Sequence, residues 1–262
     1  MKGNWVLLVL ILIGKLAFSQ QFQSADSRAL LGSGIALVSS NILGENPASS
    51  LKLTIRSIQL TQHIDFGLTN LQSFQFAIAV PMEHQSFGFA VHQSSFEHLQ
   101  IQRWCGNAAI TLNKNISLGI NLNLIRSYYL NTSAKIQFIP EIGIIYQRKK
   151  NIDWAIHLMN FGINSTQKQL PTALSLGLSS KINTQIVLCA GLFLNKEDVF
   201  QIKAGIEYRL YNQLILRAAI ASKSPLFGIG VSWQQKRYQF WLSNTHHLFL
   251  GNSPSIKISY AF

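Results

Sequence analysis

The sequence predicts an all-β fold, namely a transmembrane antiparallel β-barrel of about 14 strands whose lumen is plugged by a short N-terminal segment. Three observations support this prediction. Long stretches alternate between apolar and polar residues. The chain is only 12% charged but 48% hydrophobic, although it contains no second helix-length apolar run after its N-terminus. Its last alternating stretch ends on an aromatic residue, Phe262.

The stretch 115–125 shows the alternation most clearly. A period of two is typical of a β-strand with two unlike faces. The stretch has the length of about 9–11 residues that a tilted strand needs to cross a bilayer, whereas strands of soluble proteins are commonly about 5–6 residues long. We expect Asn121 to face the lumen and the apolar positions to face lipid: Ile116, Leu118, Ile120, Leu122 and Leu124.

Residues 1–19 have the features of a secretory signal peptide. Lys2 precedes the apolar run 5–13, and Ala17-Phe18-Ser19 resembles a cleavage site, so the mature chain is predicted to begin at Gln20. The alternative is a membrane anchor, for which the run is shorter than the ~18–20 residues that a spanning helix needs.

Residues 20–50 are predicted to plug the lumen, and residues 51–262 to form the barrel. The segment is too long for one strand, it is rich in glycine, and its apolar residues would be exposed outside the barrel. A barrel of about fourteen strands is also too wide for wall side chains to fill. Asn46, Pro47 and Ala48 are predicted to turn the chain from the plug into the first strand.

Fourteen alternating stretches are predicted as strands, and a count of about twelve stays open because the first and fourth are the least regular. The predicted strands are 51–61, 72–80, 85–93, 99–112, 115–129, 134–147, 152–160, 172–180, 184–194, 199–210, 213–222, 226–234, 237–245 and 254–262.

The links between these strands are of two kinds. Short and mostly basic links alternate with longer ones, which is typical of outer-membrane barrels with short periplasmic turns and longer outer loops. The short set is 113–115, 148–151, 180–184, 209–213 and 234–237, and the longer set includes 62–71, 160–171 and 244–254.

The formal net charge of +12 could indicate nucleic-acid binding. We exclude this partner because the chain is predicted to be exported and its basic residues do not cluster on one helix or face. Cys105 and Cys189 project inward from strands far apart in order, so free thiols are expected instead of a disulfide.

A lumen polar cluster is predicted by projecting the alternation inward. Salt bridges that hold the plug are the favoured interpretation, and the alternatives are a gated polar pathway or an acid pair, Glu141 with Asp153, for catalysis. His246-His247 is placed in an outer loop as a surface pair. No catalytic or metal-site motif occurs, so neither enzyme activity nor a cofactor or metal is expected. The cluster comprises Arg103, Glu141, Asp153, Lys203, Glu207 and Arg217.

The C-terminal strand is predicted to carry the signal by which outer-membrane barrels are recognised for assembly. Tyr260 and the terminal Phe262 share one face of this strand. The partners expected on this basis are outer-membrane lipid and the barrel assembly machinery.

The stretch 32–50, which reads GSGIALVSSNILGENPASS, resembles the N-terminal Gly-Ala-rich stretch of the FadL superfamily that ends in Asn-Pro-Ala. That superfamily includes fatty acid and aromatic hydrocarbon channels and the PorV and PorQ proteins of Bacteroidota, which serve type IX secretion. The resemblance implies a fourteen-stranded barrel plugged by its N-terminal segment. The stretches similar to the PorV/PorQ-like branch are 118–126, 140–147, 170–178, 203–208 and 247–260.

Two functions follow from this resemblance. The first is a non-catalytic accessory barrel of the PorV/PorQ-like type, with secretion or surface proteins as partners. The alternative is a passive FadL-like channel for hydrophobic compounds. The short predicted outer loops leave little room for an external ligand-capture region, which favours the accessory role.

Overall fold

The structure is a computed structural model, and it describes most of the barrel and two stretches of the N-terminal segment. The predicted signal peptide lies outside the described residues. These residues are 23–37, 45–96, 99–129, 134–149, 151–161, 172–196, 200–223, 225 and 227–262.

Fourteen antiparallel strands form one closed barrel. Every strand pairs with its neighbours in sequence, and β1 pairs with β14 to close the ring, so no strand edge is left unpaired. The strands are β1 Ser57–Ile64, β2 Leu71–Pro81, β3 Gln85–Phe96, β4 Leu99–Asn113, β5 Ile116–Tyr129, β6 Lys135–Lys149, β7 Ile152–Met159, β8 Ala173–Lys181, β9 Ile186–Asn195, β10 Phe200–Tyr211, β11 Leu214–Ala221, β12 Phe227–Gln235, β13 Tyr238–His247 and β14 Gly251–Ala261.

The predicted count and order of strands are confirmed, but two boundaries were wrong. The first strand begins at Ser57 and not at residue 51, because a 3-10 helix, Pro47–Lys52, occupies that position. Pro47 stands at the start of this helix, where its fixed φ suits the first turn. The predicted outer loop 244–254 is mostly strand, and only residues 248–250 link β13 to β14.

The two ends of the barrel differ in their links. At the end that carries the start of β1 and the end of β14, the links contain two to four residues. At the other end they contain two to thirteen, the longest being 160–172. Because outer-membrane barrels have short periplasmic turns, we assign the short-link end to the periplasm. Within the described residues, no helix is long enough and apolar enough to span a membrane.

Strand β5 has the register that its alternation predicts. Ile120, Leu122 and Leu124 are 38%, 45% and 41% exposed on the outer surface, whereas Asn121 and Asn123 are 2% and 1% exposed on the inner wall. Large apolar side chains are exposed on the outside of all the remaining strands except β8, whose outward residues Leu174, Leu176 and Leu178 are half-buried. The barrel therefore presents an apolar outer surface to lipid and a polar wall to its interior.

Ile120→Arg should impair barrel assembly much more than Asn121→Arg. A cation facing lipid near the bilayer midplane costs about 2–4 kcal/mol, whereas the lumen tolerates polar substitution. The fraction of protein that shows heat-modifiable migration on gels measures assembly. Ile120→Phe, which stays apolar, serves as the control and should assemble like the wild type. Equal defects in the two arginine variants would mean that the register is wrong.

Candidate functional site

The interior of the barrel holds the described parts of the N-terminal segment, residues 23–37 and 45–52. The short helix Ala25–Ala29 contacts β1 and β11 to β14, while the 3-10 helix Pro47–Lys52 contacts β2 to β6 on the opposite side. Between them, Ile35 lies against Gly177 of β8. The segment therefore crosses the lumen and contacts the wall on several sides.

Glycines of the inner wall allow the segment to approach closely. A Cβ atom at Gly119 would overlap the backbone of Pro47 and Ala48, and one at Gly143 would overlap the side chain of Asn46. Because only glycine lacks this atom, the wall and the turn can pack backbone against backbone at these positions.

The predicted plug turn is fixed to the wall by hydrogen bonds. The Asn46 Oδ1 atom accepts a 2.9 Å bond from the Ala48 backbone N–H and so caps the 3-10 helix. The Asn46 Nδ2 atom donates to the carbonyl of Ile156 at 3.0 Å. The Asn107 side chain on β4 donates to the Pro47 carbonyl at 3.0 Å. The turn is thus bonded to strands β4 and β7.

An ion cluster, which we call the Asp26 cluster, joins the helix Ala25–Ala29 to the wall. The carboxylate of Asp26 lies 2.8 Å from Lys257 Nζ on β14 and 3.7 Å from Arg217 Nη1 on β11. Arg217 also forms a 2.7 Å ion pair with Glu207 on β10 and donates a 3.0 Å hydrogen bond to the Asp26 carbonyl. Asp26 and Lys257 are both 0% exposed, so their charges neutralise each other without help from water.

The Asp26 cluster is charge-balanced and packs against an aromatic ring. Arg217 Cζ lies 4.4 Å from the centroid of the Trp241 ring, and Lys257 Nζ lies 5.8 Å from it. Burial opposes ionisation of Asp26, but the nearby Lys257 and Arg217 together lower the pKa of its carboxyl below the ordinary value. Asp26 is therefore held as a carboxylate.

A second group, the Glu141 cluster, spans β4 to β7. Arg103 Nη2 lies 3.2 Å from Glu141 Oε1, and Asn121 Nδ2 donates to Glu141 Oε2 at 3.1 Å. Arg103 Nε also donates to Asn123 Oδ1 at 2.8 Å, and His157 Nε2 lies 3.6 Å from Glu141 Oε2. These bonds link β4, β5 and β6 across the inner wall, and His157 of β7 lies close to them.

The six residues of the predicted lumen polar cluster do not form one cluster. Asp153 pairs with Lys52 at 2.9 Å, far from Glu141: Asp153 faces Gln147 across the sheet, six positions from Glu141 along β6. At about 3.4 Å per residue the two carboxylates are about 20 Å apart. The acid pair proposed from the sequence is therefore wrong, and each of these acids has a cation beside it.

Lys203 lies in a third place, against the N-terminal segment. Its Nζ atom and the Glu45 carboxylate both border Gly32. Burial raises the pKa of Glu45 to about 7, although the Lys203 charge and a hydrogen bond from Ser27 oppose the rise. Burial thus favours the neutral form of the Glu45 carboxyl, whereas the charge of Lys203 favours its ionised form.

Near the outer end, a further pair connects the segment to the barrel. Arg28 Nη1 lies 3.0 Å from Asp65 Oδ1, in the link after β1. The stacked rings of His63 and His92 lie 6.0 Å apart on the adjacent wall. His247, which the sequence placed in an exposed loop, is the last residue of β13 and is buried, with its ring 5.6 Å from that of Phe66.

Four residues that form ion pairs between the segment and the wall were not predicted from the sequence: Asp26, Arg28, Asp65 and Lys257. Lys257 could have been found, because it continues the inward set Ser253, Ser255 and Ser259 on β14. Asp26 and Arg28 lie outside the alternating strands, so no periodicity indicates where they point.

A cavity between the segment and the wall, bordered by Ser27, Glu45, Asn46 and Arg217, has room for about one water molecule. Cys105 and Cys189 are buried free thiols, as the sequence predicts. Among the described residues, no three metal-ligating side chains lie close enough to hold an ion.

No protein-family profile matches the chain, and no curated protein sequence matches it. Solved structures do match. The CymD monoaromatic hydrocarbon channel superposes with a TM-score of 0.74 at 13% identity, over 93% of this chain and 98% of that one. The toluene transporter TbuX of Ralstonia pickettii gives 0.71 at 14% identity over 94% and 100%. A FadL homologue of Pseudomonas aeruginosa gives 0.66 at 11% identity over 92% and 98%.

The chain has the FadL-type barrel fold. Its closed ring and apolar outer surface are those of an outer-membrane β-barrel, as the sequence predicted. The matched structures are described as channels and transporters. None of the three is described as a PorV or PorQ protein, so the finer resemblance to that branch stays a prediction.

Proposed function

We propose that this FadL-type barrel is a non-catalytic, passive channel for small hydrophobic compounds. The observation that carries the proposal is the fold, which the chain shares with channels named for monoaromatic hydrocarbons and toluene. The proposal reverses the preference drawn from the sequence, which placed the accessory role before the channel. The short outer links no longer decide against a channel, because an apolar patch on the inner wall would bind a hydrophobic ligand once the groups that bury it move aside.

The apolar patch lies on the inner wall toward the outer end of the lumen. Ile101, Ile125 and Ile139 form a buried cluster, with Leu99 packed against it. These residues come from β4, β5 and β6, within about five residues of the strand ends that face outward. An apolar compound that enters from outside would meet this patch before it reached the ion clusters.

Passage beyond the patch requires the N-terminal segment to move. The segment is bonded to the wall by the Asp26 cluster, by the Arg28–Asp65 pair and by the Asn46 turn. A ligand at the patch favours displacement of the segment only if it binds the barrel with the segment displaced more tightly than the barrel with the segment docked. The channel is therefore proposed as one that rests closed and opens by partial release of the segment.

Entry of a radiolabelled monoaromatic hydrocarbon into proteoliposomes tests this function. Vesicles with the wild-type barrel should take up the compound faster than empty vesicles, and Ile125→Glu should abolish the difference because it places a charge in the apolar patch. Ile120→Phe on the lipid face is the matched control and should retain uptake. Equal rates for wild-type and empty vesicles would contradict the channel.

A second candidate is the accessory role in secretion or surface protein assembly. Some outer links are short, with two residues between β3 and β4 and three between β13 and β14, which leaves a low surface on which a partner protein could sit. Purification from outer membranes in mild detergent tests it. A stoichiometric secretion or surface protein that copurifies, together with altered secretion after gene deletion, would favour this role over the channel.

A further inference from the structure

The short-link end of the barrel carries a ring of exposed cations, which we call the basic rim. It comprises residues on or next to four different links and one residue just before β1. Its six residues, all exposed, are Arg56, Lys114, Lys181, Arg209, Lys236 and Arg237. None of them forms an ion pair with the described residues.

The two ends of the barrel differ in charge. The short links hold four cations and one acid in sequence, the acid being Glu83, which is 91% exposed. The links of the other end hold three cations and four acids. Two more cations, Arg148 and Lys149, occupy the last positions of β6 before its short link. The links of the short-link end, together with Arg148 and Lys149, therefore carry a net charge of +5, whereas the links of the other end carry −1.

Exposed tyrosine and tryptophan side chains lie just beside the basic rim on β6, β7, β10, β12 and β13. They lie within about three residues of the strand ends, which is about 10 Å along the strand. Tyr146 and Trp154 are cross-strand partners, and both face outward. Tyrosine and tryptophan are enriched where a membrane surface meets water, since their rings are apolar and their tips are polar. The exposed members are Tyr146, Trp154, Tyr211, Trp233 and Tyr238.

We propose that the basic rim binds the phosphate-bearing headgroups of anionic phospholipids in the periplasmic leaflet of the outer membrane. The aromatic residues fix the depth of the headgroups at this end, and the cations lie immediately beyond them. The surface is continuous with the lipid-facing wall, so phospholipid already lies against it. A negatively charged headgroup there would neutralise cations that have no acid partner in the described protein.

The difference in charge between the two ends also predicts that the barrel binds anionic lipid in the periplasmic leaflet and not in the outer one. At the outer end Lys196 and Lys223 are exposed, and Glu197 and Asp198 follow Lys196 in sequence, whereas the link that holds Lys223 contains no acid. Cations near an anionic membrane surface add to its attraction, each over a distance of about a Debye length. The basic rim should therefore prefer anionic lipid, whereas the outer end should not.

Native mass spectrometry of the detergent-solubilised barrel with equimolar phosphatidylglycerol and phosphatidylcholine tests the proposal. The wild type should retain more phosphatidylglycerol, and the double variant Lys236→Glu, Arg237→Glu should lower that preference by about tenfold. The double variant Lys196→Glu, Lys223→Glu makes the same charge change at the outer end and should leave the preference intact. Heat-modifiable migration confirms that each variant is folded.

Several outcomes would overturn the proposal. The wild type could bind both lipids equally, or the two double variants could lower the preference to the same extent. Capture of an acidic periplasmic protein by a rim that shows no lipid preference would also count against it. If the rim double variant does not fold, the neutral pair Lys114→Gln, Lys181→Gln replaces it and should still reduce the preference several-fold relative to the outer-end control.

Discussion

Deletion of residues 24–45 should convert a closed barrel into a conducting pore. A ring of fourteen strands encloses more space than its wall side chains can fill, since about eight strands are the size at which they do so. The described parts of the segment occupy that space and leave room for about one water molecule in the cavity beside them. Single-channel recordings in planar bilayers should show almost no conductance for the wild type and stable open steps for the deletion.

Two controls make this result interpretable. The deletion variant must show heat-modifiable migration, because an unfolded barrel would not conduct. Asp26→Ala retains the segment but weakens its attachment, so brief openings are expected from it. A wild-type protein that conducts like an open porin would contradict the closed barrel.

Asp26→Ala should destabilise the docked segment strongly. The substitution leaves Lys257, which is 0% exposed, buried without its counter-ion. Removal of one partner from a buried ion pair typically costs about 3–5 kcal/mol. Limited proteolysis of the N-terminal segment, together with the unfolding temperature in detergent, measures the loss. If the segment is released, Lys257 is no longer buried against an empty site, so the measured loss of unfolding free energy is smaller than this. Limited proteolysis detects the release itself and is therefore the more sensitive measurement.

The double variant Asp26→Ala, Lys257→Met isolates the contribution of the unpaired charge. Replacement of both ions by apolar groups is often neutral, so much of the lost stability should return. Arg217 keeps its 2.7 Å pair with Glu207 in either variant. If Asp26→Ala is as resistant to protease as the wild type, the Asp26 cluster does not hold the segment.

The fold could be predicted from the sequence because a barrel strand records its two environments in alternate residues. Ile120 and Asn121 differ in exposure as the period of two requires, and the same pattern gave the order and number of strands. The prediction failed at residues 51–56, where Leu51 and Leu53 suggest alternation but a proline-initiated 3-10 helix ends at Lys52. At these residues the helix-initiating proline determines the structure, because the alternation of apolar and polar residues is short and irregular there.

Less of the candidate site could be predicted. The alternation identified Arg103, Glu141, Glu207 and Arg217 as inward-facing, but not their partners across several strands. Register decides those contacts, and no single strand encodes register: Glu141 meets Arg103 two strands away and not Asp153 on the next strand. The partners of the N-terminal segment could not be predicted, because a segment without periodicity gives no direction for its side chains.

The pairing of Asp26 with Lys257 constrains the order in which the molecule assembles. Asp26 lies near the start of the chain, and its closest counter-ion lies on the last strand. Neighbouring strands can form hairpins as they meet, but β14 must be present before β1 can close the ring. Until β14 is in place, Lys257 is not available to neutralise the Asp26 carboxylate inside the barrel. Ring closure and docking of the N-terminal segment must therefore occur together. A chain truncated before β14 would lose both the closed ring and the docked segment.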